Sequence, residues 1–344
     1  MFQDLTITEL IKSEQFKKVT WIDVRSPSEF KEATIPNAKN IPVFTDAERA
    51  EIGTIYKRVS VEAAKEKGLE IFSAKLPAFI KAVKELEGEK VVFCWRGGMR
   101  SKTAATVVDL MGIPINRLAG GIRSYREYVT EQLKNMSYEP KAFVINGYTG
   151  SGKTKILRRL QSEGYPVLNL EEMANHRGSI FGQIGLEPNN QRMFEALLFN
   201  GLHEMKEAPY VLFEAESKRI GKVTLPPFLL EKKDNGTHIF LTMPIEERVK
   251  TILEDYHPTD HKEECAAAFQ KIKRRIHTPI AAEIEKHIAE GEFSQAVRLL
   301  LEYYYDPLYQ YSAGLHPPEK TIHIEAGNVL EATEKIQEIL QKQQ

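Results

Sequence analysis

A glycine-rich turn between a strand pattern and a helix pattern constrains this chain more than any other feature. The apolar run "KAFVIN" (141–146) predicts a strand, the turn reads "GYTGSGKT" (147–154), and a helical pattern follows. This is the G-x-x-x-x-G-K-[ST] spacing of a loop that binds phosphates through backbone N–H groups at the start of a helix. The predicted diphosphate-binding residues are Gly147, Gly150, Ser151, Gly152, Lys153 and Thr154. The motif therefore predicts a parallel α/β sheet.

The chemistry expected of this loop follows from two of its side chains. Lys153 offsets phosphate charge and Thr154 can ligate Mg²⁺, although the sequence assigns no metal site. A later strand, "VLFEAE" (211–216), ends in Glu214 and Glu216, which could hold Mg²⁺ or act on substrate. The alternative is a solvated acidic loop, because an Asp is the expected metal-holding residue at such a strand end. Both interpretations stay open, and the loop predicts a diphosphate more securely than ATP.

Basic residues supply further candidates. "NHRGS" (175–179) could present His176 and Arg177 to an anionic ligand, and Arg219 follows Glu216 closely, although a lone basic turn is more often a simple loop. Three basic clusters could contact RNA phosphates, and each is also typical of a solvated helix face. The clusters are Lys155, Arg158 and Arg159; Lys218, Arg219 and Lys222; and Lys271, Lys273, Arg274 and Arg275.

Two further features are explained by structural roles alone. They are the aromatic segment "LLLEYYYDPLYQY" (299–311) and the cysteine of "HKEECAAAF" (261–269). The tyrosines could stack bases or wall an apolar pocket, but core packing is more typical of them. Cys265 has no glycine-rich turn beside it, so we interpret it as structural. A long helical stretch is predicted over about 260–304.

The first part of the chain places its only cysteine at the end of a strand. In "VVFCWRGGMRS" (91–101) Cys94 precedes a glycine-rich basic turn and a helix that begins near Ser101. A thiolate there faces the turn amides and the positive end of the helix, which favour a nucleophilic thiolate. The predicted loop residues are Arg96, Gly97, Gly98 and Arg100. A small buried apolar residue is the alternative, and two glycines with two arginines argue against it.

Length and charge limit the remaining choices. A chain of 344 residues with strands alternating with helices predicts two α/β domains, over 1–138 and 139–344. Lys and Arg number 22 against 19 Asp and Glu up to residue 140, and 25 against 29 beyond it. Any nucleic-acid contact must therefore be a local patch. Two cysteines in unlike contexts, no secretory signal and no membrane-length apolar run predict a cytoplasmic protein without a membrane partner.

The Cys94 loop belongs to a wider pattern. Together with "IDVRSPSEF" (22–30), "IPNAKNIP" (35–42) and "LAGGIRSYR" (118–126) it resembles the rhodanese domain, which carries sulfur as a cysteine persulfide. A common sulfurtransferase loop is C-x-x-G-x-R-S, whereas this one is C-x-x-G-x-x-R-S and one residue longer. The longer spacing is that of thiol phosphatases, so the loop is sized for a tetrahedral oxyanion as well as for a chalcogen.

The whole chain resembles the tRNA 2-selenouridine synthase family, in which a rhodanese domain is fused to a phosphate-loop domain. The matching segments span nearly the full length and are jointly very specific. They are "ERAEIGTIYK" (48–57), "CWRGGMRS" (94–101), "GYTGSGKT" (147–154), "NHRGSIFG" (175–182), "ESKRIG" (216–221) and "YYYDPLYQY" (303–311).

The resemblance implies a transferase that exchanges the sulfur of wobble 2-thiouridine in tRNA for selenium from selenophosphate. It implies that a geranyl group from geranyl diphosphate first alkylates the sulfur and that selenium then displaces it. Cys94 would carry selenium as an S-selanylcysteine, with Arg96 and Arg100 holding the phosphate. The implied partners are tRNA and a selenophosphate supplier, with no tightly bound cofactor.

Two alternatives remain open at this point. A nucleotide-dependent kinase or phosphatase fusion would use the same phosphate loop and the same cysteine-to-arginine spacing. A non-catalytic regulatory module over 1–138 is the other, and the presence of Cys94 and Arg100 in one loop argues against it.

Overall fold

The computed structural model describes residues 1–12, 18–308 and 318–342. The chain forms two compact units. The first comprises Met1–Asn135 with Glu195–Phe199, and the second comprises Met136–Phe194 with Asn200–Gln344. No helix among the described residues is both long and apolar enough to cross a membrane.

The first unit contains a five-stranded sheet in the order β1-β5-β4-β2-β3, with every neighbouring pair parallel. Its strands are β1 Asp4–Leu5, β2 Val19–Asp23, β3 Lys39–Asn40, β4 Glu89–Phe93 and β5 Asn116–Leu118. Its helices are α1 Ile7–Lys12, α2 Pro27–Glu32, α3 Asp46–Arg58, α4 Val61–Lys84, α5 Met99–Leu110 and α6 Gly121–Lys134. The parallel pairing confirms the predicted α/β class for this unit.

The central strand of this sheet ends at the predicted thiol loop. Val91, Val92 and Phe93 at the end of β4 are fully buried, because β4 lies between β5 and β2 and helices cover both faces of such a sheet. Helix α2 begins with Pro27 in its first turn, and the Glu29 carboxylate accepts a hydrogen bond from the Ser26 backbone N–H (3.2 Å).

The second unit contains another five-stranded parallel sheet, in the order β12-β11-β6-β8-β7. Its strands are β6 Lys141–Gly147, β7 Val167–Leu168, β8 Tyr210–Glu214, β11 Thr237–Thr242 and β12 Thr321–Glu325, with an antiparallel hairpin of β9 Arg219–Ile220 and β10 Val223–Thr224. The helices along this part of the chain are α7 Lys153–Ser162, α8 Leu170–Ala174, α9 Gln191–Glu204, α10 Pro227–Asn235, α11 Ile245–Tyr256, α12 Lys262–Ile272, α13 Thr278–Glu290, α14 Phe293–Leu300 and α15 Val329–Gln341.

The helical stretch predicted over about 260–304 is three helices rather than one. A 3₁₀ turn at Lys273–Arg275 follows α12, and α13 begins with Pro279 in its first turn. Gly291 ends α13 in the left-handed conformation with φ 82°, which glycine adopts without steric cost. A π turn at Leu301–Tyr305 then follows α14. The prolyl ring and the glycine explain both breaks.

The second unit has two separate apolar clusters. One lies between the sheet and helices α7 and α15, and includes Ile145, Ile156, Leu241 and Ile336. The other lies within α12–α14 and includes Phe269, which is fully buried. Helices α12–α14, hereafter the added helices, thus have an apolar core separate from that of the sheet.

Candidate active sites

The phosphate loop joins the central strand β6 to α7. Gly150 has a φ of 81°, and a Cβ there would lie 2.7 Å from the Arg248 carbonyl oxygen, so only glycine fits this turn. The Lys153 ammonium donates to the carbonyl oxygens of Gly147 (3.0 Å) and Tyr148 (3.3 Å). Ser151 Oγ is buried and has no hydrogen-bond partner among the described residues. The loop therefore has the strand–loop–helix form predicted for it, with its lysine held against its own backbone.

Three carboxylates lie beside this loop. The Thr154 hydroxyl donates to Glu171 Oε2 (2.6 Å), and the Glu171 backbone N–H donates to Glu214 Oε1 (2.5 Å). Glu214 is fully buried, and its Oε2 has no partner in the part of the chain that the structure describes. A Cβ at Gly178 would lie 2.7 Å from Glu171 Oε1 and 3.1 Å from Glu216 Oε1, so these two carboxylates converge there.

Burial and mutual repulsion disfavour negative charge on this carboxylate cluster, Glu171, Glu214 and Glu216. Burial, and then the charge of Glu171, raise the pKa of Glu214 well above its usual value. The same two causes raise the pKa of Glu216 to about 8. Burial also raises the pKa of Glu171. The solvated-loop interpretation therefore does not describe Glu214.

The carboxylate cluster fits a hard divalent cation. Carboxylate and hydroxyl oxygens are the ligands that Mg²⁺ takes in proteins, and the unpartnered Glu214 Oε2 is an acceptor without a donor. A cation would neutralise the charges that now raise these pKa values. Sequence reasoning missed Glu171, whose only signal is its position just after β7 in "NLEEM" (169–173).

A buried arginine from α11 supports the phosphate loop, and sequence reasoning missed it. Arg248 is 4% exposed, and its Nε donates to the Thr149 carbonyl oxygen (2.9 Å). Its Nη1 donates to Asp306 Oδ2 (2.9 Å), and its guanidinium lies 5.0 Å from the centre of the Tyr148 ring. Within the tyrosine-rich segment the acid Asp306 thus fixes the loop through Arg248. Residues 309–311 of that segment lie outside the described residues.

The other basic candidates, His176, Arg177 and Arg219, have different surroundings in the structure. Arg177 donates to the carbonyl oxygens of Ile184 (2.9 Å) and Asp255 (2.6 Å), and with Glu216 it lines the cavity beside the phosphate loop. His176 is buried, and burial followed by the Arg177 charge lowers its pKa. Arg219 is exposed on the β9–β10 hairpin and does not line this cavity.

The cavity beside the phosphate loop, hereafter the phosphate cavity, has a volume of about 730 Å³. Lys153 and Thr154 line one side of it, and Glu171, Arg177 and Glu216 line another. It is therefore large enough for a diphosphate together with part of a larger substrate.

The Cys94 loop repeats the strand–loop–helix arrangement in the first unit. Cys94 is 3% exposed, and its Sγ lies 3.1 Å from Ser101 Oγ. The Cys94 carbonyl oxygen accepts from the Ile122 N–H (2.9 Å). A Cβ at Gly121, where φ is 63°, would lie only 2.3 Å from that oxygen. Glycine is therefore required at position 121 of "LAGGIRSYR" for α6 to begin this close to the thiol loop.

The two arginines of this loop have different surroundings. Arg100 donates to both oxygens of Glu29, at 2.6 and 3.2 Å, and Arg49 lies 3.7 Å from the same carboxylate. Burial opposes charge on Arg100, but the hydrogen bond and charge of Glu29 outweigh it and raise the pKa of Arg100. An incoming anion must therefore share Arg100 with Glu29. Arg49 belongs to "ERAEIGTIYK", which gives that segment a place near the loop.

Arg96 lies instead along a basic groove of about 630 Å³, hereafter the Trp95 groove. Arg123 and Arg126 from α6 line it too, and the Arg126 guanidinium lies 5.7 Å from the centre of the Trp95 ring. The sequence signal for this groove is the spacing of Arg123 and Arg126 on α6, and nothing in the sequence connects it with Trp95.

The predicted basic clusters of the second half are partly neutralised. Lys155 pairs with Glu254 (2.7 Å), and Arg158 and Arg159 each pair with a glutamate. Lys273 pairs with Glu285 (2.7 Å). Within residues 1–12, 18–308 and 318–342, three exposed cations of the third cluster have no ion-pair partner, namely Lys271, Arg274 and Arg275.

Comparison with known proteins matches both units. The family model of the tRNA 2-selenouridine synthase AAA domain matches residues 140–290, and the rhodanese-like domain model matches residues 6–128. These matches, with the two parallel sheets, confirm the predicted fold class.

Three similar proteins extend the match over most of the chain. A tRNA 2-selenouridine synthase of Bdellovibrio bacteriovorus is 31% identical, over 87% of this chain and 91% of that protein. One of Nitrosomonas europaea is 33% identical, over 77% of this chain and 69% of that protein. One of a Sulfurovum species is 29% identical, over 88% of this chain and 92% of that protein.

Proposed function

This chain belongs to the tRNA 2-selenouridine synthase family, and we propose that it replaces the sulfur of wobble 2-thiouridine in tRNA by selenium from selenophosphate. The proposal includes an S-geranyl-2-thiouridine intermediate made from geranyl diphosphate. It describes a transferase acting on tRNA in the cytoplasm, supplied by a selenophosphate-producing enzyme. The observation that carries it is the presence of two glycine-rich loops in one chain, one with a thiol and one with a phosphate-loop lysine.

The first step suits the second unit. The sulfur of 2-thiouridine attacks the first carbon of the geranyl group, the carbon–oxygen bond breaks, and the diphosphate leaves with the electron pair. Backbone N–H groups at the start of α7 and the Lys153 ammonium would stabilise the charge of the departing diphosphate. Alkylated sulfur is a better leaving group than a thiocarbonyl sulfur, so this step prepares the next.

A divalent cation has a place in this step. The residues that would hold it are Thr154, Glu171, Glu214 and Glu216, whose unpaired and crowded oxygens fit a hard cation. The cation would supply positive charge to offset the diphosphate.

The second step suits the first unit. We assign Cys94 to the selenium-transfer step, because a thiol can interact with a chalcogen and the adjacent turn amides can hold the selenophosphate anion. In this step the selenide-level selenium of selenophosphate forms a bond to C2 of the geranylated base, water takes the phosphoryl group as phosphate, and geranylthiolate leaves with the electron pair of the broken carbon–sulfur bond. The hydrogen bond and charge of Glu29, and to a smaller extent the charge of Cys94, raise the pKa of Arg100, and Glu29 holds its guanidinium in position. Arg96 then meets the ligand from the Trp95 groove.

The tRNA must reach both loops, so basic surfaces near each are expected to bind phosphates. The Trp95 groove offers arginines together with an aromatic ring, a combination that also stacks bases. Lys271, Arg274 and Arg275 offer cations in the second unit.

One reaction mixture tests the proposal. The purified protein is incubated with thiolated tRNA, geranyl diphosphate and selenophosphate, and the digested RNA is analysed by nucleoside mass spectrometry. We expect geranylthiouridine followed by selenouridine. Hydrolysis of ATP without change to the nucleoside would favour the kinase or phosphatase alternative and contradict the proposal.

A further inference from the structure

A second, apolar cavity lies within the added helices of the second unit. It has a volume of about 60 Å³. Helix α14 supplies Phe293, Ala296 and Leu300 to its wall, and α13 supplies Ile288. The polar side chains of the wall are few: the hydroxyls of Thr149, Ser179, Tyr256 and Tyr305, and the thiol of Cys265.

This apolar cavity adjoins the phosphate cavity. The two share the residues Thr149, Ser179, Ile252, Tyr256 and Tyr305. Thr149 belongs to the phosphate loop itself, so the loop borders the apolar cavity as well as the phosphate cavity. Four of the five shared residues carry hydroxyls, and Ser179 Oγ lies 3.3 Å from the Tyr256 hydroxyl. Across the two adjoining cavities the lining thus changes from charged to hydroxylated to apolar.

The order of these surfaces selects a class of ligand. A nucleotide base needs hydrogen-bond partners along its edge, and the deep wall offers only aliphatic and aromatic side chains beside one thiol. An apolar chain needs no such partners and gains free energy from leaving water. A ligand with a diphosphate at one end and a branched apolar chain at the other matches both cavities at once.

We propose that the apolar cavity receives the isoprenoid chain of the diphosphate substrate and that Phe293 and Ala296 on α14 set the accepted chain length. The proposal rests on the function proposed above, which assigns the diphosphate to the phosphate loop. One water needs about 10–15 Å³ of such space, so 60 Å³ admits only the end of a short chain. The rest of the chain then lies along the shared residues.

Side-chain volume on α14 tests this assignment. Ala296→Leu adds bulk to the wall, and Phe293→Ala removes a ring from it. The matched control is Ala281→Leu, because Ala281 is buried in the same apolar cluster but does not line the cavity. Each protein is given dimethylallyl, geranyl and farnesyl diphosphate in competition, with thiolated tRNA as acceptor. The prenylated nucleosides are then quantified by mass spectrometry, and thermal melting verifies that each variant folds.

The expected result is a change of preference and not only of rate. Phe293→Ala should raise farnesyl use relative to geranyl by about tenfold or more, since even one methylene in an apolar pocket is worth about 10- to 200-fold. Ala296→Leu should favour dimethylallyl over geranyl by a similar factor, and Ala281→Leu should keep the parental ratios. Binding supplies a second measurement: geranyl diphosphate should bind the parent more tightly than inorganic diphosphate does, and Ala296→Leu should reduce that difference.

Two failures are distinguishable. If the parent geranylates tRNA and both cavity variants keep the parental chain-length ratios, the chain binds elsewhere and this inference is wrong while the proposed function stands. If the parent transfers no prenyl group from any of the three donors, the proposed function and this inference are both wrong.

Discussion

The two glycine-rich loops share one backbone plan and differ in their charges. Each follows the third strand in the spatial order of a five-stranded parallel sheet, β4 in the first unit and β6 in the second, and each leads into a helix. Around Cys94 the charged groups are mostly arginines, and Glu29 holds one of them in place. Around Lys153 three glutamates face a single loop lysine.

This difference separates two ways of binding an anion. The Cys94 loop has cationic side chains in excess and can accept an anion beside a thiol directly. The phosphate loop adjoins carboxylates whose pKa values burial and repulsion raise, so it favours protons or a cation in addition to its anionic ligand. Under the proposed function, the same local fold would serve selenium transfer in one unit and diphosphate departure in the other.

Cys94→Ser is expected to have the largest effect, because it should stop one of the two proposed reactions and leave the other. A serine hydroxyl is neither ionised at neutral pH nor able to carry selenium, so selenouridine formation should be abolished. Geranylation depends on the phosphate loop and should continue, so geranylthiouridine should accumulate in nucleoside mass spectrometry. Cys265→Ser is the control for the loss of a thiol. Cys265 lines the apolar cavity, but serine nearly keeps its volume and burial raises the pKa of the Cys265 thiol to about 11, so this variant should still form both products. If Cys94→Ser forms selenouridine at close to the parental rate, the role of Cys94 in selenium transfer is contradicted.

Lys153→Ala should lower the rate of the other reaction, geranylation, which we assign to the phosphate loop. Removing one charge-stabilising group at a departing anion costs about 10²- to 10³-fold in rate, so geranylation should fall by that factor. Initial rates with geranyl diphosphate and thiolated tRNA measure it. Lys250→Ala is a suitable control, since Lys250 is an exposed lysine on α11 whose nearest carboxylate is 3.9 Å away. If Lys153→Ala geranylates at the parental rate, the assignment of the diphosphate to this loop is wrong.

Much of this comparison follows from sequence, because strand–loop–helix motifs are local. Glycine is required where the chain turns tightly, as at Gly150, and where another segment comes close, as at Gly121. The parallel sheets also follow from the alternation of strands and helices. The supporting charges could not be predicted. Arg248 and Asp306 meet the phosphate loop only after long stretches of chain have folded, and nothing local connects them with it.

Strand ends were harder to predict than strand centres. The sequence predicts a strand over 165–170, but only Val167 and Leu168 pair, because β7 is at the edge of its sheet and bonds to β8 alone. Glu29 shows the same limit for the thiol loop: it is a recognisable helix-capping residue, but its ion pair with Arg100 joins positions far apart in sequence.

Glu214→Gln should change stability more modestly. A carboxyl whose pKa is raised in the folded protein destabilises the fold above its unfolded pKa, because folding then requires a bound proton or a buried charge. The variant should therefore be more stable than the parent near pH 8, by about 1 kcal/mol, and the gain should shrink towards pH 5. Mg²⁺ should stabilise the parent more than the variant. Thermal melts at both pH values, with and without Mg²⁺, measure this. A variant less stable near pH 8 and equally stabilised by Mg²⁺ would contradict a charged cluster.

The smallest effect is expected for the exposed cations of the second unit. Replacing Lys271, Lys273, Arg274 and Arg275 by glutamine should reduce the slope of log affinity for tRNA against log salt. Each lost phosphate contact accounts for about 0.7 to 0.9 units, and Lys273 should contribute least because Glu285 already neutralises it. Filter binding over a salt series measures the slope. An unchanged slope would place the RNA surface at the Trp95 groove instead.

The central claim is that the two loops perform separate reactions in order. Its most direct test supplies tRNA that already contains S-geranyl-2-thiouridine, together with selenophosphate, to Lys153→Ala and to Cys94→Ser. The quantity measured is the rate of selenouridine formation by nucleoside mass spectrometry. We predict that Lys153→Ala converts this RNA at about the parental rate, because the step that needs its loop is already complete, while Cys94→Ser converts none. Failure of Lys153→Ala on pre-geranylated RNA, or conversion by Cys94→Ser, would contradict the account.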